Sequence, residues 1–279
     1  MKNLTGKIIY VTGGSSGIGL AASRLFFERG ADVLVCARNE ERLEAACREI
    51  EAVRKNPSAR VAYRVLDVSD HEAVSRVMTE AVSQFGPPDI LLNCAGRAYP
   101  KYVERIDYSQ FDETMHINLY GVWNTVHTLL PLLKERHGYI VNTSSMAGFI
   151  GVFGYTDYSA SKFGVVGFSE ALRMEMKPYG VRVSVLCPPD TDTPGFQTEN
   201  RTKPPETVAV SQGAKIMRPD QVAEELLKGM ERERFMIIPG ADGKFSFFMK
   251  RLFPSLVFSI LDGQVRKARE KKTEKGAKE

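Results

Sequence analysis

A chain of 279 residues with 43% hydrophobic and 26% charged residues has enough apolar side chains for a large core, and this balance excludes disordered, fibrous and membrane-spanning classes. The formal net charge is only +4, and the basic excess gathers at Arg266, Lys267, Arg269, Lys271, Lys272, Lys275 and Lys278. No aromatics interleave with that run, so it reads as a solvated tail and not a nucleic-acid surface, with an anionic membrane surface left open.

The first seven residues contain no apolar run, which predicts neither a secretory signal nor an N-terminal anchor and makes cytoplasmic the default location. Apolar runs at 8–11, 32–36, 61–66, 90–93, 139–143 and 181–187 predict strands buried on both faces. Between them, helical periodicity covers 21–28, 41–53, 72–85, 111–133 and 163–176. Alternating strands and helices predict an α/β fold, a doubly wound and mostly parallel sheet with helices on both faces, in one domain. Beyond it, 188–205 is rich in Pro, Thr and Asp and reads as a long functional loop. A helix at 220–231 and a short strand at 235–238 follow. Residues 245–261, from Phe245 to Leu261, are strongly apolar but broken by Lys250, Arg251 and Pro254, too interrupted to cross a bilayer. The expected division is a domain over 1–240, with a substrate loop at 188–217, and an apolar and basic extension over 241–279.

Cys36, Cys47, Cys94 and Cys187 lack Cys-x-x-Cys spacing and read as reduced thiols, and His71, His116, His127 and His137 lack paired metal spacing, so no metal is expected.

The first strand runs through Thr12-Gly13-Gly14-Ser15-Ser16-Gly17-Ile18-Gly19 into a helix. Backbone N–H groups and the positive end of the helix dipole there suit a pyrophosphate. Gly13 supplies the tight turn, Gly17 the close backbone approach and Gly19 close helix packing, while Ser15 and Ser16 add hydroxyl donors. Where an NAD site places an acid, the second strand ends in Ala37-Arg38-Asn39. Arg38 suits a ribose 2′-phosphate, with Arg42 one turn on, so NADP(H) is the expected cofactor; a surface salt bridge to Glu41 or Glu44 is the alternative use of Arg38. Asp67, followed by Val68, ends the third strand and is placed either to accept from an adenine amino group or to cap the next helix. Asn93-Cys94-Ala95-Gly96 ends the fourth and offers an amide and flexible backbone, with structural support an equal reading of Asn93.

Tyr158 and Lys162 stand at i and i+4 at the start of a helical pattern, on one face. A phenol so placed can protonate the oxygen of a ketone as hydride reaches its carbon, and a nearby ammonium favours the phenolate. Ser145, thirteen positions earlier, has a hydroxyl for the substrate oxygen, with Ser144 the alternative register. Asn118 is an amide inside a predicted helix, read as holding a water that leads to Lys162 or as an ordinary surface or helix–helix amide.

This ordered set resembles the short-chain dehydrogenase/reductase family over about residues 7–187. The resemblance implies a tetrad of Asn118, Ser145, Tyr158 and Lys162, with Lys162 also on the nicotinamide ribose. It also implies a nicotinamide side lined by Pro188, Thr191 and Thr193, Thr193 at the carboxamide; Pro188-Pro189 departs from the more usual Pro-Gly. The stretch from Pro188 to Pro204 resembles the corresponding loop of the 3-ketodihydrosphingosine reductases within that family, which implies NADPH-dependent reduction of a long-chain aminoketone in sphingolipid synthesis, and a dimer or tetramer. Asp190 or Asp192 suits a substrate ammonium, and 245–261 suits an alkyl chain, a peripheral membrane contact, a dimer interface or a core helix. Another fatty or steroid ketone or alcohol is the alternative substrate, and a non-catalytic dinucleotide sensor is the alternative of a different class.

Overall fold

The computed structural model describes residues 3–212 and 215–276, with side chains up to residue 270. Gly213 and Ala214 of the expected loop, Lys278, and the side chains of Lys271, Lys272 and Lys275 lie outside the described residues.

Seven strands form one all-parallel sheet: β1 (Ile8–Thr12), β2 (Asp32–Ala37), β3 (Val61–Val65), β4 (Ile90–Asn93), β5 (Tyr139–Thr143), β6 (Arg182–Leu186) and β7 (Met236–Ile237). Their order is β3-β2-β1-β4-β5-β6-β7, so the winding reverses between β1 and β4. Ligand crevices of doubly wound sheets open at such a switch point, outside the carboxyl ends of the strands. Register sharpens this, because Thr12 pairs with Asn93 and Asn93 with Asn142. The segments leaving β1, β4 and β5 therefore emerge side by side.

Helices cover both faces. On one, α1 (Gly17–Glu28), α2 (Glu40–Glu51) and α9 (Pro219–Glu231) bury Phe26, Phe27, Leu43, Val222 and Leu226 against β1 and β2. On the other, α3 (His71–Phe85), α5 (Gly121–Glu135) and α6 (Thr156–Met176) bury Met78, Val126, Leu129, Val165 and Leu172. Asn39 and Asp70 cap α2 and α3, and Asp107 caps α4 (Tyr108–Met115), each accepting a backbone N–H with its side chain.

Several expectations are corrected. β3 is only part-buried, because it is an edge strand with one neighbour. The predicted helix over 111–133 is two helices, α4 and α5, joined by a π-helical turn at His116–Tyr120. α6 starts at Thr156, seven residues before the apolar periodicity of 163–176, and carries Tyr158 and Lys162 in its first two turns, as their i and i+4 spacing predicts. The stretch 188–205 is not a bare loop: α7 (Pro194–Glu199) folds within it and α8 (Pro205–Ser211) begins at its end, each opened by a proline at its first turn. Residues 245–261 fall on α10 (Ala241–Leu252) and α11 (Pro254–Gly276), broken at Pro254, and Phe245, Phe248, Leu252, Phe253, Leu256, Phe258 and Ile260 are exposed, which removes the core-helix reading. Arg269 of α11 pairs with Glu206 of α8 at 3.2 Å. No helix among the described residues is long and apolar enough to cross a membrane.

Candidate active site

The turn after β1 is shaped by its glycines. Gly13 has φ +68°, and a Cβ there would lie 2.7 Å from the backbone N of Ala95, so only glycine lets the β1 and β4 ends approach this closely. Gly17, at φ +54°, begins α1, and a Cβ there would meet the Thr193 methyl at 2.9 Å. Gly19 is buried in the first turn, and Ser15, Ser16 and Ile18 are part-exposed around it. Ser16 is the N-cap of α1 yet makes no side-chain capping bond, and no acid occupies the first turn. The positive end of α1 thus has no internal anion, which fits the pyrophosphate of a dinucleotide.

At the end of β2, Arg38 is exposed with its guanidinium 3.9 Å from Asp67, not from Glu41 or Glu44. So exposed a pair is worth little, and the guanidinium stays available to a phosphate at small cost. Arg42 is exposed one turn on, its backbone N–H bonded to Asn39. Asp67 does not cap α3; Asp70 does, while Asp67 accepts from the backbone and hydroxyl of Ser69. Val68 packs its side chain on Gly121 and gives its carbonyl to Asn124.

The β4 end is a buried polar strap. Asn93 accepts from Thr125 (2.8 Å) and Thr12 (3.4 Å) and donates to Asn142 (3.0 Å), and Ala95 N–H points to the Thr12 hydroxyl (3.4 Å). The Asn93 amide is therefore spent on structure. Gly96 passes close to both Asn118 and Lys162.

Asn118 sits in the π turn, fully buried and not a surface amide. It accepts from Arg97 N–H (2.9 Å) and donates to the Arg97 carbonyl (3.0 Å) and the Ser161 hydroxyl (3.0 Å). Its side chain thereby clamps the strand-to-helix segment after Gly96 onto α6, and no polar capacity is left on its NH2 for a water.

Tyr158 is positioned by a residue that periodicity does not single out. Asp157, fully buried, accepts from Tyr158 N–H (2.8 Å), Thr114 (2.9 Å) and Gln110 (3.1 Å), tying the first turn of α6 to α4. An acid in a helix's first turn also suits its dipole, a signal present in the sequence just ahead of Tyr158. Lys162 is 4% exposed, donates to the Thr143 carbonyl at 3.0 Å, and places Nζ 5.5 Å from the Tyr158 ring centroid. Burial lowers its pKa to about 8, opposed by the nearby Cys94 and Cys187. Both thiols are themselves raised by burial, to about 11 and about 12, and are inert at neutral pH.

The two serines separate cleanly. Ser144 is buried and donates to the Lys162 carbonyl at 2.9 Å, whereas Ser145 accepts from Ala147 N–H and has its hydroxyl near enough to the Tyr158 phenol to lower its pKa. Burial, then the charge of Glu199, raises the Tyr158 pKa, against the Ser145 hydroxyl. Desolvation and a carboxylate therefore favour the protonated phenol, in the direction expected of a proton donor.

Beyond β6, Pro188 gives its carbonyl to Met146, and the Thr191 hydroxyl is spent on the Pro189 carbonyl. Thr193 caps α7 through Phe196 N–H while its methyl touches Gly17, so the loop after β6 and the glycine turn close over one crevice. Glu199 and Lys203, neither expected as site residues, fold back beside Tyr155 and Tyr158 because α7 brings them there.

Comparisons agree with this geometry. Residues 7–204 match the family model described as short chain dehydrogenase. The 3-ketodihydrosphingosine reductase of Bos taurus is 43% identical over 242 residues, covering 86% of this chain and 73% of that one; the Mus musculus protein of the same name is 42% identical with the same coverage. The solved structure of levodione reductase superposes with a TM-score of 0.79 at 25% identity, covering 87% of this chain and 99% of that one. The chain belongs to the short-chain dehydrogenase family and is an oxidoreductase with a Rossmann-type fold.

Proposed function

We propose that this enzyme reduces a long-chain aminoketone, 3-ketodihydrosphingosine, to dihydrosphingosine with NADPH, in sphingolipid synthesis. The observation that carries the chemistry is the Ser145–Tyr158–Lys162 group at the carboxyl edge of the sheet, in line with the glycine turn. The substrate is supported by the relatives of that name at 42–43% identity.

The N-terminus of α1 with Ser15, Ser16 and Ile18 would hold the dinucleotide's pyrophosphate, Arg38 and Arg42 its 2′-phosphate, with Thr193 beside Gly17 at the same turn. When bound, NADPH supplies hydride to the ketone carbon. Ser145 holds the carbonyl oxygen by a hydrogen bond, and Tyr158, kept protonated by burial, delivers its proton to that oxygen as charge develops. Lys162 places positive charge near the phenol and offsets the charge left on it. Asn118 and Asp157 hold the segments on which these groups sit.

NADPH oxidation measured in parallel against 3-ketodihydrosphingosine, a medium-chain ketone and a steroid ketone tests this, with Tyr158→Phe as control. The aminoketone is the expected best substrate, and Tyr158→Phe retains NADPH binding but loses about 100- to 10,000-fold in kcat. A steroid or medium-chain ketone turned over faster overturns the substrate; activity surviving Tyr158→Phe overturns the mechanism.

The same reading places the enzyme in the cytoplasm as a homo-oligomer, peripheral to a membrane. The exposed Phe245, Phe248, Phe253, Leu256 and Phe258, flanked by Lys250 and Arg251, support contact with an anionic bilayer surface. Sedimentation with anionic liposomes at low salt, and sedimentation velocity without them, check the two parts.

A further inference from the structure

A charge imbalance stands beside the proton donor. Tyr155 and Tyr158 have ring centroids 5.6 Å apart, and the Tyr155 hydroxyl donates to the Glu199 carboxylate. The Lys203 ammonium lies 3.4 Å from that carboxylate and 4.2 Å from the Phe196 ring, with its side chain only 5% exposed. Asp190, on the segment leaving β6, is part-buried within reach of the same ammonium's field. Glu199 is partnered by that one ammonium and by the Tyr155 hydroxyl, and burial raises the pKa of both the Glu199 and the Asp190 carboxyl against the Lys203 charge, so the pair is under-compensated by that single ammonium. Buried charge without a counter-ion is costly, so the site is matched to a second cation.

A ketone reduced here must bring its oxygen to Tyr158. In a 2-amino ketone the ammonium is on the carbon next to the carbonyl, so it arrives close to the phenol, in the neighbourhood that Glu199 and Tyr155 share. Resting on the aminoketone reading above, we infer that Glu199, with Asp190, is the recognition site for the substrate's ammonium, and that Lys203 is an internal ammonium that holds this site in the free enzyme. Substrates without the amine leave the two carboxylates under-compensated.

The same arrangement bears on rate as well as binding. Glu199 and Asp190 both hold the Tyr158 proton more tightly, so a cationic substrate that offsets their field makes the phenol a readier donor. Discrimination is then expected in kcat and in KM.

The test compares 3-ketodihydrosphingosine with its des-amino counterpart, 1-hydroxyoctadecan-3-one, in wild type, Glu199→Gln and Lys203→Met, with NADPH. Wild type favours the aminoketone, and Glu199→Gln lowers the ratio of the two kcat/KM values by about 10- to 100-fold, the factor for losing one charged hydrogen bond. Lys203→Met, which keeps both carboxylates, lowers KM for the aminoketone relative to the des-amino ketone and gives a second reading should Glu199→Gln not fold. A wild type that reduces both ketones equally well, or a Glu199→Gln ratio equal to that of wild type, overturns the inference while leaving long-chain ketone reduction intact. Reduction of neither ketone overturns the functional reading and this inference with it.

Discussion

The Lys162 ammonium donates to the carbonyl of Thr143 over 3.0 Å, linking the second turn of α6 to the last residue of β5. That single bond does not repay burial, and the Lys162 pKa falls from 10.5 to about 8. Between those values the folded protein binds fewer protons than the unfolded chain, so stability rises with pH across that window and the deficit is fully present below it. A fall of that size corresponds to at most roughly 3 kcal/mol. Lys162→Met is therefore expected to stabilise the cofactor-free protein by about 1–3 kcal/mol at pH 7, with most of the gain gone at pH 10. Urea midpoints at the two pH values check this; equal gains at both would exclude the buried charge as the cause.

Ser144 and Ser145 are adjacent yet have different tasks. Ser145→Ala removes the hydroxyl beside the Tyr158 phenol and is expected to lower kcat by about 100-fold or more with little change in stability. Ser144→Ala removes the bond to the Lys162 carbonyl and is expected to cost about 1 kcal/mol of stability with a smaller kinetic effect. Steady-state rates and thermal unfolding of both variants decide it, and the reverse pattern would assign the substrate oxygen to Ser144.

Gly17 and Thr193 can be tested as a pair. Gly17→Ala puts a Cβ 2.9 Å from the Thr193 methyl at a φ of +54°. The strained φ alone costs roughly 1 kcal/mol, or about 2–4 °C in Tm, and displacement of Thr193 adds a loss in NADPH affinity. Thr193→Ser deletes the methyl but keeps the hydroxyl that caps α7. It is expected to restore affinity in Gly17→Ala without restoring the backbone cost, read by fluorescence titration of NADPH and by Tm.

Arg38→Ala is expected to raise KM for NADPH by about 10- to 100-fold, the loss of charged hydrogen bonds to a phosphate, and to leave KM for NADH within a few-fold. Because the Asp67 pair is exposed and weak, stability hardly changes. Comparable losses with both nucleotides would remove Arg38 from 2′-phosphate recognition.

Much of this protein is written in local pattern. The strands β1, β2, β4, β5 and β6 are continuous apolar runs because a parallel sheet covered on both sides demands them, and the glycine turn and the Tyr158–Lys162 spacing are short-range geometry that a linear chain displays. Tertiary structure decided what depends on contacts between distant segments. The π turn that buries Asn118, the different hydrogen-bond partners of Ser144 and Ser145, and the partnership of Asp157 with α4 arise where elements meet, and no periodicity records them. Glu199 and Lys203 lie in a stretch whose prolines read as a loop, and only the folding of α7 across the crevice brings their charges to Tyr158. The raised pKa of the phenol likewise comes from desolvation and from that distant carboxylate, both properties of the packed molecule that the i and i+4 spacing of Tyr158 and Lys162 does not display.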